Sequence, residues 1–184
     1  IYIINNMSNL VQDTLSLNID TLEMMIPILK DAHKKTPPEN RINMLNNLNL
    51  IIDSHLFQNF EIYIVDNILP IILDRLNDVP KVIEIAGTVG FKIISKLSIQ
   101  AFPYVLTKLK VGTDFTSKWK TQVGTLKLLQ EYVNRVFKYD RDLLSSCLPE
   151  IIQYTNDLLY STRSEVSTIA YETLHNAMNG ITNK

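Results

Sequence analysis

The chain has 184 residues, of which 46% are hydrophobic and 20% charged, and its formal net charge is -1. This is the composition of a globular chain with a continuous core, and it gives the molecule as a whole no electrostatic pull towards nucleic acid or membrane. Five glycines and a single cysteine argue against a β-sandwich, exclude an internal disulfide framework and fit a reducing compartment such as the cytoplasm.

In chain order, Ile1-Tyr-Ile-Ile-Asn-Asn6 lacks both an initiator Met and a basic stretch. It reads as an interior cut of a longer protein, or a trimmed chain, rather than a signal peptide. Residues 1–18 are expected to be the remnant of a preceding helix. No apolar run approaches the roughly 20 residues of a membrane helix. A first helix is expected over 20–33, carrying Ile26-Pro27-Ile28-Leu29. Thr36-Pro-Pro-Glu39 reads as a capping box with Pro37 at the first helical position. It opens a helix over 37–56 whose apolar stripe is Leu45, Leu48, Ile51 and Ile52. Then follow a helix over 60–76 with Leu69-Pro70-Ile71-Ile72, and one over 80–97 entered through Asn77-Asp78-Val79-Pro80. In the latter Val82, Ile85, Val89, Ile93 and Leu97 oppose Glu84, Thr88, Lys92 and Lys96.

A helix over 99–111 contains Phe102-Pro103-Tyr104-Val105. The next spans 117–138, with Ser117 as N-cap and Trp119, Val123, Leu126, Leu129, Val133 and Val136 on one face. That register expects Trp119 to be buried between repeats rather than to serve as a base-stacking platform. A helix over 142–159 carries Leu148-Pro149-Glu150-Ile151-Ile152. Thr162-Arg-Ser-Glu165 is a second capping box for a helix over 163–179, with Val166, Ile169, Ala170, Leu174 and Ala177 as its stripe and Gly180 as its C-cap.

The four apolar-Pro-apolar motifs lie 43, 33 and 46 residues apart, each followed by a polar break and a second helix start. Two antiparallel helices recurring about every 40 residues form the pattern of HEAT repeats. The expected fold is therefore all-α, an α-solenoid of about four HEAT repeats in one domain over 1–184. A non-repetitive helical bundle is the alternative.

Charge is distributed unevenly. Residues 81–141 hold 11 basic and 4 acidic side chains, against 5 and 10 in 1–80 and 2 and 5 in 142–184. A solenoid sets equivalent turns along one edge, which would bring Lys81, Lys108, Lys110, Lys118 and Lys120 together. Such a band is either an ordinary solvated face or a footprint for phosphates. Catalytic signatures are missing: no G-x-x-x-x-G-K-[ST] loop, no nucleophile elbow, and no metal-ligand spacing among His33, His55, His175 and Cys147. Cys147 lies in an apolar stretch and reads as a buried, inert thiol. His55 and His175 read as partners of helix C-termini. No enzyme activity, cofactor, metal or small-molecule ligand is expected.

Asn67-Ile-Leu-Pro-Ile-Ile72, Ala101-Phe-Pro-Tyr-Val-Leu-Thr-Lys-Leu109, Ser117-Lys-Trp-Lys-Thr-Gln-Val123 and Leu148-Pro-Glu-Ile-Ile152 with Thr162-Arg-Ser-Glu-Val166 resemble the N-terminal HEAT domain of translation elongation factor 3. That factor is an ATP-binding-cassette protein of the fungal ribosome. Lys118-Trp-Lys-Thr-Gln-Val-Gly124 and Leu143-Leu-Ser-Ser-Cys-Leu-Pro149 are similar to the central region of the ribosome-bound co-activator of the general amino acid control kinase. The matching passages span Ile64 to Met178. The resemblance implies a non-catalytic, ribosome-binding HEAT module that contacts rRNA and ribosomal proteins. Any ATP hydrolysis would lie in cassettes outside these residues. On that reading Lys81, Lys108, Lys110, Lys118, Lys120 and Lys127 are the candidate ribosome-binding residues. A protein-only HEAT scaffold that grips partners on its concave face is the alternative, and neither reading requires a membrane.

Overall fold

The computed structural model describes residues 36–54 and 56–182, together with 23, 26 and 27. The expectations for residues 1–18, for most of 20–33 and for His33 and His55 lie outside them. Among the described residues every regular element is helical. They are α1 Pro38–Asp53, α2 Leu56–Asn59, α3 Glu61–Asn67, α4 Leu69–Arg75, α5 Pro80–Lys96, α6 Phe102–Thr113, α7 Trp119–Tyr139, α8 Arg141–Leu159 and α9 Ser164–Thr182, with a 3-10 turn at Ile99–Ala101 before α6. The chain is all-α, and by packing it divides into two compact units, residues 1–93 and 94–184.

In the first unit α1 buries Met44, Leu45, Leu48, Ile51 and Ile52, the predicted stripe with Met44 added. Its start differs from expectation. Pro37 is the N-cap and Pro38 the first helical residue, and no side chain caps the end, so the Thr36–Glu39 capping box does not form. Asn40 N–H instead donates to Pro37 O at 3.0 Å. The helix expected over 60–76 is two, α3 and α4, because Pro70 has no N–H and its ring crowds the preceding turn. Ile68 N–H still donates to Ile64 O and Ile72 N–H to Ile68 O, so the chain stays helical through the break. Arg41 on α1 is buried and donates from Nη2 to Asp78 Oδ1 at 2.7 Å, and from Nη1 to Thr36 O. This ion pair ties α1 to the turn that precedes α5.

In the second unit α9 packs on α7 and α8, and α6 on the same two helices. Leu126, Leu158, Val166, Ile169 and Ala170 form a shared core with Val123 and Leu159 at its edge. Phe102 meets Tyr132 edge to face at 4.9 Å between ring centroids. Tyr132 Oη–H donates to Ser98 O, while Arg135 donates to Ile94 O and, at 3.0 Å, to Leu97 O. These carbonyls close the C-terminal end of α5, where the last acceptors lack intrahelical donors and a cation is favourable. Arg135 belongs by sequence to the basic block, yet its guanidinium is occupied inside the fold. Asp140 is the N-cap of α8, accepting from Leu143 N–H at 2.9 Å. Pro149 sits within α8, which runs through it. Helix α9 continues to Thr182, so Gly180 lies inside it rather than capping it.

Candidate nucleic-acid interface

The turn between α6 and α7 is built from its own polar side chains. Asp114 Oδ1 accepts from Thr116 N–H at 2.8 Å and from Thr116 Oγ1–H. Those two bonds, the side-chain one first, hold the Asp114 carboxyl below its usual range. Gln122, buried in the first turns of α7, donates from Nε2 to Asp114 O at 3.1 Å and also to Phe115 O. Ser117 does not cap α7. Its hydroxyl donates to Val111 O at 2.7 Å, and Lys118 takes the N-cap position in an extended conformation. The turn is thereby fixed, with Lys118 exposed at its tip.

Trp119 is not in the core. It is 36% exposed, which overturns the expectation of a buried residue between repeats. The reason lies in the helical register. The buried face of α7 is made by Gln122, Thr125, Leu126, Leu129, Tyr132, Val133 and Val136, so its centre includes polar residues. Trp119 lies roughly a quarter of the way round from that centre, on the flank it shares with half-buried Val123. The Arg163 guanidinium stands 5.4 Å from the indole centroid and the Lys120 ammonium 5.9 Å. Arg163 immediately precedes α9. The contact therefore sets the α6–α7 and α8–α9 turns side by side, with Lys120 and Arg163 at one indole and Lys118 next to it in sequence.

Two concavities flank this end of the unit. Trp119, Val123, Lys127, Ser164, Glu165, Thr168, Ile169 and Glu172 line a groove of about 490 Å³ between the first halves of α7 and α9. Lys110, Thr113, Asp114, Phe115, Gln153, Tyr154 and Asp157 line a smaller one of about 180 Å³. There the Lys110 ammonium lies 6.0 Å from the Tyr154 ring centroid.

The six predicted lysines thus divide. Lys110 lines the smaller concavity and Lys127 the groove, Lys118 and Lys120 adjoin Trp119 in sequence, and none of the four has a carboxylate within ion-pair distance among the described residues. Lys108 lies along α6 with its ammonium 5.0 Å from the Tyr104 ring centroid. Lys81 belongs to the first unit and pairs with Glu84 on its own helix at 3.0 Å, both side chains well exposed. Arg163 escaped the sequence reading because it falls outside the basic block. The signal was present nonetheless, since Thr162-Arg-Ser-Glu165 occupies the same place in its repeat as Ser117-Lys-Trp-Lys120.

Cys147 is a buried free thiol, and its surroundings, burial first, push its pKa up, so it stays protonated and inert as its sequence context suggests. His175 is exposed, stacks on Tyr171 with centroids 5.7 Å apart and lies within α9 rather than at its end. No helix among the described residues is long and apolar enough to cross a membrane.

Comparison with known proteins converges on one group. Residues 3–174 match the family model described as the EF3 N-terminal HEAT repeat. The chain is 25% identical over 158 residues to an elongation factor 3 of Gonapodya prolifera, covering 85% of this chain and 14% of that protein. It is 32% identical over 117 residues to an elongation factor 3 of Phytophthora infestans, covering 63% of this chain and 11% of that one. The chain therefore spans only a small part of the length of these relatives.

Proposed function

Because the chain belongs to the EF3 N-terminal HEAT-repeat family, we propose that it is a non-catalytic ribosome-binding module of the translation machinery, acting in the cytoplasm and meeting rRNA through the cationic end of its second unit. The observation that carries this reading is the meeting of Lys120 and Arg163 at Trp119, next to exposed Lys118, with Lys110 and Lys127 lining the adjoining concavities. A protein whose net charge is -1 has no general affinity for polyanions. Unpaired cations concentrated at two neighbouring turns give it a local one, because each phosphate they neutralise releases counterions. The relatives are named as elongation factors, and translation elongation takes place on the ribosome, which is a polyanion. Helix positions favour reach, since Lys118 and Arg163 stand just ahead of α7 and α9, where long side chains project past the packed helices.

Co-sedimentation with ribosomes over a salt series tests the reading. Binding should weaken steeply with salt, with log affinity against log salt falling by about 0.7 to 0.9 for each phosphate contact. Lys118→Glu with Lys120→Glu should remove most of the pelleted protein at moderate salt while helical content stays as in wild type. Should the double variant pellet undiminished, the lysines are a solvated face and a protein-only scaffold becomes the better account.

A further inference from the structure

We propose that the groove beside Trp119 takes one unpaired nucleobase of a single-stranded RNA, stacked on the indole, with the flanking phosphates on Lys118, Lys120 and Arg163. The inference rests on the RNA-binding reading above and deepens it by naming the form of RNA and the residue that reads it. Three observations carry it. First, Trp119 is 36% exposed and its side chain helps to line the groove. Aromatic side chains stack any base, because every base has a π-face. The Arg163 guanidinium and the Lys120 ammonium stand over the ring at 5.4 and 5.9 Å from its centroid, so a stacked base takes the place of one of them and that cation moves to a flanking phosphate.

Second, the groove has the composition a base requires. Its apolar side is Trp119, Val123 and Ile169, and about 490 Å³ is ample room for a single ring system. Third, its charges are segregated. Glu165 and Glu172 line the groove on the α9 side, where they would repel a phosphate. As acceptors they suit the amino and imino hydrogens on a base edge. Lys118 and Lys120 adjoin Trp119 at the lip, and Lys127 lines the α7 side of the groove. Cations at the turn and along α7 thus face acceptors on α9, which is complementary to a backbone lying along the α7 side with its base edge turned towards α9. Bases that present an amino group, adenine, cytosine and guanine, should be preferred over uracil. A duplex, whose bases are stacked and paired, offers nothing to the indole and binds through the cations alone.

Trp119 is the single tryptophan of the sequence, so indole emission reports on this groove and nowhere else. The whole chain would be titrated with a labelled hexa-adenylate, a hexa-uridylate and a blunt RNA duplex at low salt, following anisotropy of the RNA and emission of the protein together. The expected result is binding of all three, with emission quenched strongly by oligo-A, weakly by oligo-U and not by the duplex. Trp119→Leu keeps an aliphatic contact with Val123 but has no ring. It should bind oligo-A about tenfold more weakly, the usual size for loss of one stacked base, and bind the duplex as wild type does. Lys118→Glu with Lys120→Glu should weaken all three. Oligo-A binding that saturates without quenching wild-type emission overturns the stacking proposal by itself, whatever the variant does, and leaves the cationic interface standing. Undiminished oligo-A binding by Trp119→Leu does the same. A basic hexapeptide that quenches emission where RNA does not would overturn it in favour of a peptide groove. Failure of every RNA to bind at low salt would overturn both this proposal and the reading beneath it.

Discussion

Gly112 sets how closely α6 and α7 approach. A Cβ built there would lie 2.0 Å from Thr125 Oγ1 and 2.8 Å from Thr125 Cβ and Cγ2. Thr125 is fully buried on α7 and, being β-branched, is stiff at χ1, so it cannot swing away. Gly112→Ala would gain helix propensity of up to about 1 kcal/mol, but the helices would have to part, which costs about 1–3 kcal/mol in a packed core. The net expectation is destabilisation, read as a lower urea midpoint with unchanged slope. Adding Thr125→Ala should recover part of the loss, because it removes two of the three clashing atoms. Equal midpoints for the two Gly112→Ala proteins would show that the helices meet elsewhere. Trp119 teaches the complementary lesson at this scale. A large aromatic at the right spacing looks like core in sequence, but the polar pair Gln122 and Thr125 took the central positions, Gln122 because its amide satisfies carbonyls of the turn.

At the scale of elements, the helix bounds were largely legible. Proline, cap-like residues and the 3.6-residue period place α1, α5, α7, α8 and α9 within a few residues of expectation, because each helix must bury one stripe and stop where its backbone donors end. What sequence did not disclose are the polar fastenings between elements that are distant in the chain. The Arg41–Asp78 pair is one, with both side chains almost fully buried. An Arg in α1 and an Asp in a turn read separately as solvated charges. Asp78→Ala would remove a buried carboxylate from the guanidinium and should cost about 3–5 kcal/mol. Arg41→Met with Asp78→Ala should cost clearly less, since both desolvation penalties vanish together. Thermal melts of the three proteins decide it; a double variant that loses the sum of the singles would show that the two groups act independently. The candidate interface was half legible for a related reason. Lys118 and Lys120 announce themselves by clustering, whereas Arg163 joins them only because α7 and α9 start side by side.

For the molecule as a whole, stability is expected to be graded along the chain. Leu126, Leu129, Tyr132, Val133 and Val136 of α7 and Val166 and Ala170 of α9 are fully buried, while the Asp114–Lys118 and Thr162–Arg163 turns are largely exposed. Amide hydrogen exchange should therefore be slowest across 126–136 and 166–173 and fast at both turns, so that the proposed binding end opens without loss of the core. Uniform protection across turns and helix centres would contradict this. The seating of Arg135 and Tyr132 on the carbonyls of Ile94, Leu97 and Ser98, at and just past the end of α5, has a consequence for how such a chain can drift. A stripe of aliphatic side chains can slide by one turn against its neighbour and find similar company, but a helix has a single end, and a guanidinium fastened to it admits no second position. Inserting or deleting one residue between Trp119 and Tyr132 would swing both fasteners about 100° around the axis and lose the end altogether. Length changes in this lineage should accordingly collect in the turns, while the middle of α7 keeps its count of residues even where its letters change.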